Sequence, residues 1–205
     1  MKNSLLTSAM CLMCLAHTAT AAQAALDPHD WQIRLRAIGV VPDESSTTSN
    51  GGTITADSGV MPELDISYFI NDAVSLELIL ATTRHDMGEV NPDIDLGDVW
   101  VLPPTLTAQY HFHNSTSFVP YLGAGVNYTI FYGEDPGAAA NIKYDDGFGY
   151  ALQAGTDYKL DEHWMLNLDV KKIFLNTDVS VNSGGVTADV DLDPWVVGFG
   201  VGYRF

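Results

Sequence analysis

Asp189, Asp191 and Asp193 alternate along one face of an extended segment, and Asp93 and Asp95 do the same. Such spacing aligns hard carboxylate oxygens for Ca²⁺ or Mg²⁺, ions that also bridge lipopolysaccharide phosphates. Val190 and Leu192 intervene and no glycine turn follows, so the pattern is not a calcium loop. It reads as a solvated acidic rim, and no metal site is expected. His111, His113 and His163 border predicted turns, and His111 with Thr107 suggests a base beside a nucleophile. No third group that would orient the base stands at a usable spacing, so no catalytic residue is expected and the histidines read as interface residues. Gly198, Gly200 and Gly202 lack the spacing and the following helix of a dinucleotide fingerprint, and no cofactor is expected.

The chemistry that remains depends on which residues share a face, and therefore on the elements that carry them. The dominant period is two, the period of strands. Trp31, Ile33, Leu35 and Ala37 alternate with Gln32, Arg34, Arg36 and Ile38. Val60, Leu64, Ile66, Tyr68 and Ile70 alternate with Met61, Glu63, Asp65, Ser67 and Phe69; after a turn at Asn71 and Asp72, Val74, Leu76, Leu78 and Leu80 alternate with Ser75, Glu77, Ile79 and Ala81. The same reading gives strands over 102–112, 121–132, 148–159 and 164–171. In the last strand Val197, Phe199, Val201, Tyr203 and Phe205 alternate with Gly198, Gly200, Gly202 and Arg204. A chain that ends on an aromatic residue in such a strand is what a closing strand of an outer-membrane barrel looks like.

Connections near 71–72, 113–117 and 161–163 are short, and those over 42–58, 82–101, 133–147 and 172–194 are long and polar. The last is expected to extend a hairpin around Asn182 to Gly185. Short turns at one end and long loops at the other predict an all-β fold: an eight-stranded antiparallel transmembrane β-barrel in up-and-down meander order. Each strand is expected to have the roughly 9–11 residues of a tilted span. The larger apolar residues would face lipid, with Trp31, Trp164, Trp195, Tyr110, Phe112, Tyr132, Tyr150 and Tyr203 as interfacial girdles. A soluble lipocalin-like barrel would place its apolar residues inside and is disfavoured by this pattern.

Two sets of lumen residues follow. Arg34, Arg36, Lys159, Lys171 and Arg204 face Glu63, Asp65, Glu77, Asp157 and Asp169, and are expected to pair across a narrow interior, because unpaired charge in a confined space is costly. Ile38, Met61, Phe69, Ile79, Phe131, Met165, Ile173 and Val196 could form an apolar path or a simple packed plug. Glycines 123, 125, 149, 155, 198, 200 and 202 also face inward, several of them making room for Arg34 and Arg36.

The amino-terminal stretch has Lys2, an apolar run from Leu5 to Ala16 and a small-residue site at Ala22 to Ala24. Residues 1–24 read as a secretory signal peptide and 25–205 as the barrel domain. Cys11 and Cys14 lie within that signal, so the exported chain is expected to carry no thiol chemistry. Without Lys2, eight basic residues face 26 acidic ones, a net of −18. That surface excludes nucleic acid as a partner, and 46% apolar composition excludes an acidic disordered chain.

The stretches Trp31–Pro42, Pro104–Phe112, Pro120–Tyr128, Asn167–Lys172, Asp193–Trp195 and Gly200–Phe205, in this order, resemble the outer membrane protein W family over nearly the whole exported length. The resemblance implies an eight-stranded barrel with a rather apolar lumen that admits small hydrophobic molecules. It sets the expected partners: outer-membrane lipid and lipopolysaccharide, a small hydrophobic solute, and the barrel-assembly machinery through the last strand. The location is the Gram-negative outer membrane, where the Asn114 and Asn127 glycosylation patterns carry no meaning. Passage through a narrow, partly apolar lumen with lateral exit is the leading expectation. The alternative is a plugged structural or surface-interaction barrel acting through its extracellular loops.

Overall fold

The computed structural model describes residues 31–41, 45–48, 53–56, 58–90, 94–137, 141–181 and 185–205. The predicted signal peptide, Asp93 and the tip at 182–184 lie outside these residues.

Strands with one apolar and one charged face are satisfied in a bilayer only when closure removes every edge. The wall has eight strand positions, several of them interrupted. The first is β1 (Trp31–Val41) continued by β2 (Ser45–Thr48), and the second is β3 (Thr53–Ala56) with β4 (Gly59–Asn71). The third joins β5 (Val74–Ala81) to β6 (Thr83–Val90), and the fourth joins β7 (Ile94–Leu102) to β8 (Thr105–His111). β9 (Phe118–Asp135) is the fifth, and β10 (Ile142–Tyr144) with β11 (Gly147–Lys159) the sixth. The seventh is β12 (Trp164–Val181), and the eighth is β13 (Val186–Asp191) with β14 (Trp195–Arg204). All pairings are antiparallel, and β1 closes the wall by pairing with both β4 and β14. The barrel is a closed eight-stranded meander, as the periodicity predicts.

The predicted short turns are built by their polar residues. Asn71 Oδ1 accepts hydrogen bonds from the amides of Ala73 and Val74 at 2.9 and 3.0 Å. Asp161 Oδ1 accepts from His163 and Trp164 at 2.8 and 2.7 Å, and the Trp164 and His163 amides hold its carboxyl below the usual carboxylate range. Asn114 Oδ1 accepts from Thr116 N at 2.7 Å.

The long polar connections are not loops throughout. β2, β3, β6, β7, β10 and β13 carry the wall upward, and β9 and β12 each run 18 residues, well past a single span. The hairpin expected in the last connection forms between β12 and β13, with Val181 opposite Val186. The upper wall was read as loop because its pattern inverts. Below Lys171 the apolar residues Leu166, Leu168 and Val170 face outward, and Asn167 and Asp169 inward. Above Lys172 the inward residues are Ile173, Leu175, Val179 and Val181, and the outward ones include Asn176 and Asp178. The alternation continues while the surroundings change from lipid to water, so the apolar face changes sides.

Aromatic contacts mark the two membrane boundaries. Trp31 lies against Tyr68, Phe118 against Tyr158 and Trp164 against Tyr203 near the short turns. Trp100 stacks on Tyr132, and Tyr150 on Phe174, toward the other end. Just beyond them Lys172 lies 5.2 Å from the Trp195 ring and donates to the Asp193 carbonyl at 2.5 Å.

Candidate functional site: a divided lumen

The interior is divided into a mouth at the short-turn end, a charged network at mid-height and an apolar chamber above. The network is built around two arginines on adjacent inward positions of β1. Arg34 reaches Glu77 Oε1 at 2.5 Å and Asp157 Oδ2 at 2.8 Å. Arg36 lies 2.9 Å from Glu63 Oε1, 2.7 Å from Asp65 Oδ2 and 3.3 Å from Asp169 Oδ1. Lys171 closes the group on Glu63 Oε1 at 2.6 Å. Closure places Gly198, Gly200 and Gly202 beside these side chains: a Cβ on Gly200 would lie 2.7 Å from Arg36 Cα, and one on Gly202 would lie 3.1 Å from Arg34 Cγ. The bare face of β14 is therefore the space in which the arginines lie.

Three cations meet five carboxylates here, rather than the expected five of each. Lys159 stands exposed at the mouth, and Arg204 lies with its Cζ 3.8 Å from the centre of the Phe69 ring. β11 and β14 are near their ends at these positions, so neither side chain reaches the network. Neutral donors serve the surplus acids. Gln109 and Gln153 donate to Glu77 Oε2 at 2.7 and 2.9 Å, Tyr121 OH to Asp169 Oδ2 at 2.7 Å, and Asn167 to Asp157 Oδ1 at 2.8 Å. Burying this many charges is tolerable only when ion pairs and neutral donors share the acids in this way. With Arg34, Arg36, Asp65, Glu77 and Asp169 all buried, the network fills the cross-section.

The eight predicted apolar lumen residues all face inward, yet they do not form one path. Ile38, Ile79, Phe131, Ile173 and Val196 line the chamber above the network, with Met61 packed against its wall. Phe69 and Met165 lie below it, lining the mouth with His111 and Arg204. The charged layer separates the two sets. Sequence reasoning missed the upper part of the chamber: Val40, Met87, Val99, Val101, Leu175, Val179 and Val190 continue its wall. Val40 continues the first strand, and the others stand in 82–101 and 172–194, which read as loops because their alternation is inverted. The chamber has a volume of about 90 Å³, with Lys171, Glu63, Asn127 and Thr129 at its charged and polar end.

His111 is a lumen residue, not an interfacial one: it is buried, its Nε2 lies 3.0 Å from Ser75 Oγ, and its ring packs between Phe69 and Tyr121. Its neighbour is Ser75 rather than Thr107, and Ser75 also donates to Gln109 Oε1 at 3.2 Å. With Ser75 fully buried, no substrate carbonyl can approach it. The acidic segments serve as local acceptors. Asp193 Oδ1 accepts from Leu175 N at 3.1 Å, Asp191 Oδ1 from Asn176 Nδ2 at 3.0 Å, and Asp95 Oδ1 from Gly97 N at 2.8 Å.

Around the chamber the ladder between β4 and β6 lapses, as the ladders between β9 and β10 and between β2 and β3 also do among the described residues. β4 pairs with β5 from Glu63 opposite Ala81 downward, and β3 pairs with β6 from Ala56 opposite Met87 upward. Between them, residues 59–62 of β4 and 83–86 of β6 are not paired with each other, and Pro62 there has no amide to donate. Val60, 82% exposed on the outer face, sets this lapse against lipid.

The comparisons agree with this architecture. An outer-membrane protein of Sinorhizobium fredii, y4mB, is 44% identical over 85% of this chain and 80% of its own length. The dibenzothiophene metabolism operon protein PahQ of Pseudomonas aeruginosa is 32% identical over 80% of this chain and 77% of its own. The crystal structure of the outer membrane protein OprG from Pseudomonas aeruginosa superposes with a TM-score of 0.80 at 33% identity, covering 85% of this chain and 95% of that one. The OmpW family model matches residues 28–205. This outer-membrane barrel belongs to the OmpW family.

Proposed function

We propose that the barrel admits small hydrophobic molecules from the outer surface into its upper chamber and releases them sideways into the membrane. The observation that carries this reading is an apolar chamber seated directly on a charged floor. An apolar solute gains by entering the chamber and loses by crossing the network, where it would displace buried ion pairs. The route along the barrel axis is therefore unfavourable below Lys171 and Glu63. The lapse between β4 and β6 lies at chamber height and faces lipid, so lateral release breaks few hydrogen bonds there. PahQ, named for an operon that metabolises an apolar aromatic heterocycle, supports a hydrophobic cargo.

Uptake of radiolabelled n-octane by cells with and without the protein tests the reading. Uptake is expected to fall when the protein is absent, and to fall equally in Phe131→Arg, which places a charge in the chamber while leaving the upper hairpins intact. Equal uptake in all three strains would sink the proposal.

A further inference from the structure

The chamber is not apolar at its lower end. Asn127 and Thr129 follow one another on the inward face of β9, both buried, at 1% and 0% exposure. Neither the Nδ2 nor the Oδ1 of Asn127 has a hydrogen-bond partner, and neither has the Thr129 hydroxyl. A buried polar group left unpaired costs on the order of 1–3 kcal/mol, and this end of the chamber holds three such atoms. The facing strand is cut back around them: Thr129 is paired with Gly147 and Asn127 with Gly149. A Cβ on Gly149 would lie 2.3 Å from Asn127 Oδ1. A pure plug would place valine or leucine here, as the wall does at Ile173 and Val101.

Resting on the uptake reading above, we infer that the cargo is a neutral amphiphile whose single head group both donates and accepts hydrogen bonds, as a primary alcohol or amide does, and that Asn127 and Thr129 form its polar subsite. The apolar body extends upward along Phe131, Ile173 and Val179. Asn127 offers one donor and one acceptor, the complement of a hydroxyl, and Thr129 adds a rotatable second partner. A carboxylate head is disfavoured, because Lys171 beside it is already engaged by Glu63 at 2.6 Å and Asp169 at 3.4 Å.

The test uses the full barrel in lipid nanodiscs, labelled with ¹⁵N-asparagine and titrated with 1-octanol and with n-octane, with empty nanodiscs subtracted. Octanol is expected to bind about tenfold more tightly than octane, the scale of one well-made hydrogen bond, and to shift the Asn127 side-chain amide. Asn127→Leu and the near-isosteric Thr129→Val are each expected to remove most of the preference for octanol over octane. Heat-modifiable gel mobility shows that each variant is folded. Equal affinity for the two probes, or an octanol preference that survives both substitutions, overturns the polar subsite and leaves the hydrophobic conduit standing. Binding of neither probe overturns the conduit and the subsite together.

Discussion

Lys171 Nζ lies 2.6 Å from Glu63 Oε1, and this pair forms the boundary between the charged layer and the apolar chamber. The two residues come from β12 and β4, 108 positions apart in sequence, and only closure of the barrel brings them together. Each is almost wholly shielded from solvent, and each holds a second partner within the network.

Removing one member of this pair is more harmful than removing both. Lys171→Met leaves Glu63 buried with less compensation and is expected to cost about 3–5 kcal/mol. Lys171→Met combined with Glu63→Leu is expected to recover most of that loss, because the boundary then extends the chamber downward. Urea unfolding in lipid vesicles, followed by gel mobility of the folded form, gives the ordering. A double variant no more stable than the single one contradicts it.

The same small substitution has opposite outcomes at two glycines. A Cβ on Gly200 would lie 2.1 Å from the Leu35 carbonyl and 2.7 Å from Arg36 Cα, both backbone atoms, whereas a Cβ on Gly39 meets nothing within 4 Å. Gly200→Ala therefore forces β1 and β14 apart at the seam, and Gly39→Ala leaves the wall intact. The expected result is loss of the heat-modifiable folded form for Gly200→Ala and its retention for Gly39→Ala, measured in outer-membrane fractions.

How much of this was legible in the sequence depends on which solvent each stretch meets. From Trp31 to Ala37 and from Trp164 to Lys171 the apolar side chains, Met165 apart, face lipid and the charged ones face the lumen, so period two alone assigns the faces. Beyond Lys172 the outward positions of β12 turn polar at Asn176 and Asp178 while the inward ones line the chamber, so Leu175 and Val179 carry the same period with opposite meaning. A single rule for which face is apolar cannot follow that change. The pairing of Arg36 with Glu63 was legible because both lie on inward positions of adjacent strands. The failure of Lys159 to join the network was not, because position along the barrel axis, and not choice of face, decides it. Asn127 and Thr129 read from the sequence as inward polar residues of the fifth strand and as a meaningless glycosylation pattern; their unpaired atoms are visible only once Gly147 and Gly149 are set opposite them.

Acidification should act late on the upper hairpin, at a carboxylate joined to Arg84. Arg84 Nε and Nη2 meet Asp98 Oδ1 and Oδ2 at 2.8 and 2.5 Å, and this hydrogen bonding holds the Asp98 carboxyl below its usual range. A carboxylate lowered by folding contributes stability above its unfolded value, and that contribution is lost as pH falls through the lowered one. The β6–β7 pairing is therefore expected to be unchanged from neutral pH down to about 4, the ordinary carboxylate value, and to loosen only below it. The ¹³C carboxyl shift of Asp98 reports its titration directly. Asp98→Asn removes the step, and a midpoint above the ordinary value would contradict the assignment.

Stapling the lapse between β4 and β6 separates lateral release from every other route. Continuing the register in which Glu63 faces Ala81 sets Met61 across from Thr83, two inward residues that no strand ladder joins. Cysteines at both positions, in an exported chain whose only native cysteines lie in the predicted signal segment, are expected to form a disulfide visible as a mobility shift. Oxidation would then hold the two strands together at chamber height without touching the chamber wall at Phe131 or the network at Arg36. Uptake of n-octane is expected to fall severalfold on oxidation and to recover when reductant is added, with either single cysteine showing no change. A cross-linked barrel that still takes up octane at the rate of the reduced one would move the exit elsewhere, because the lapse could no longer widen.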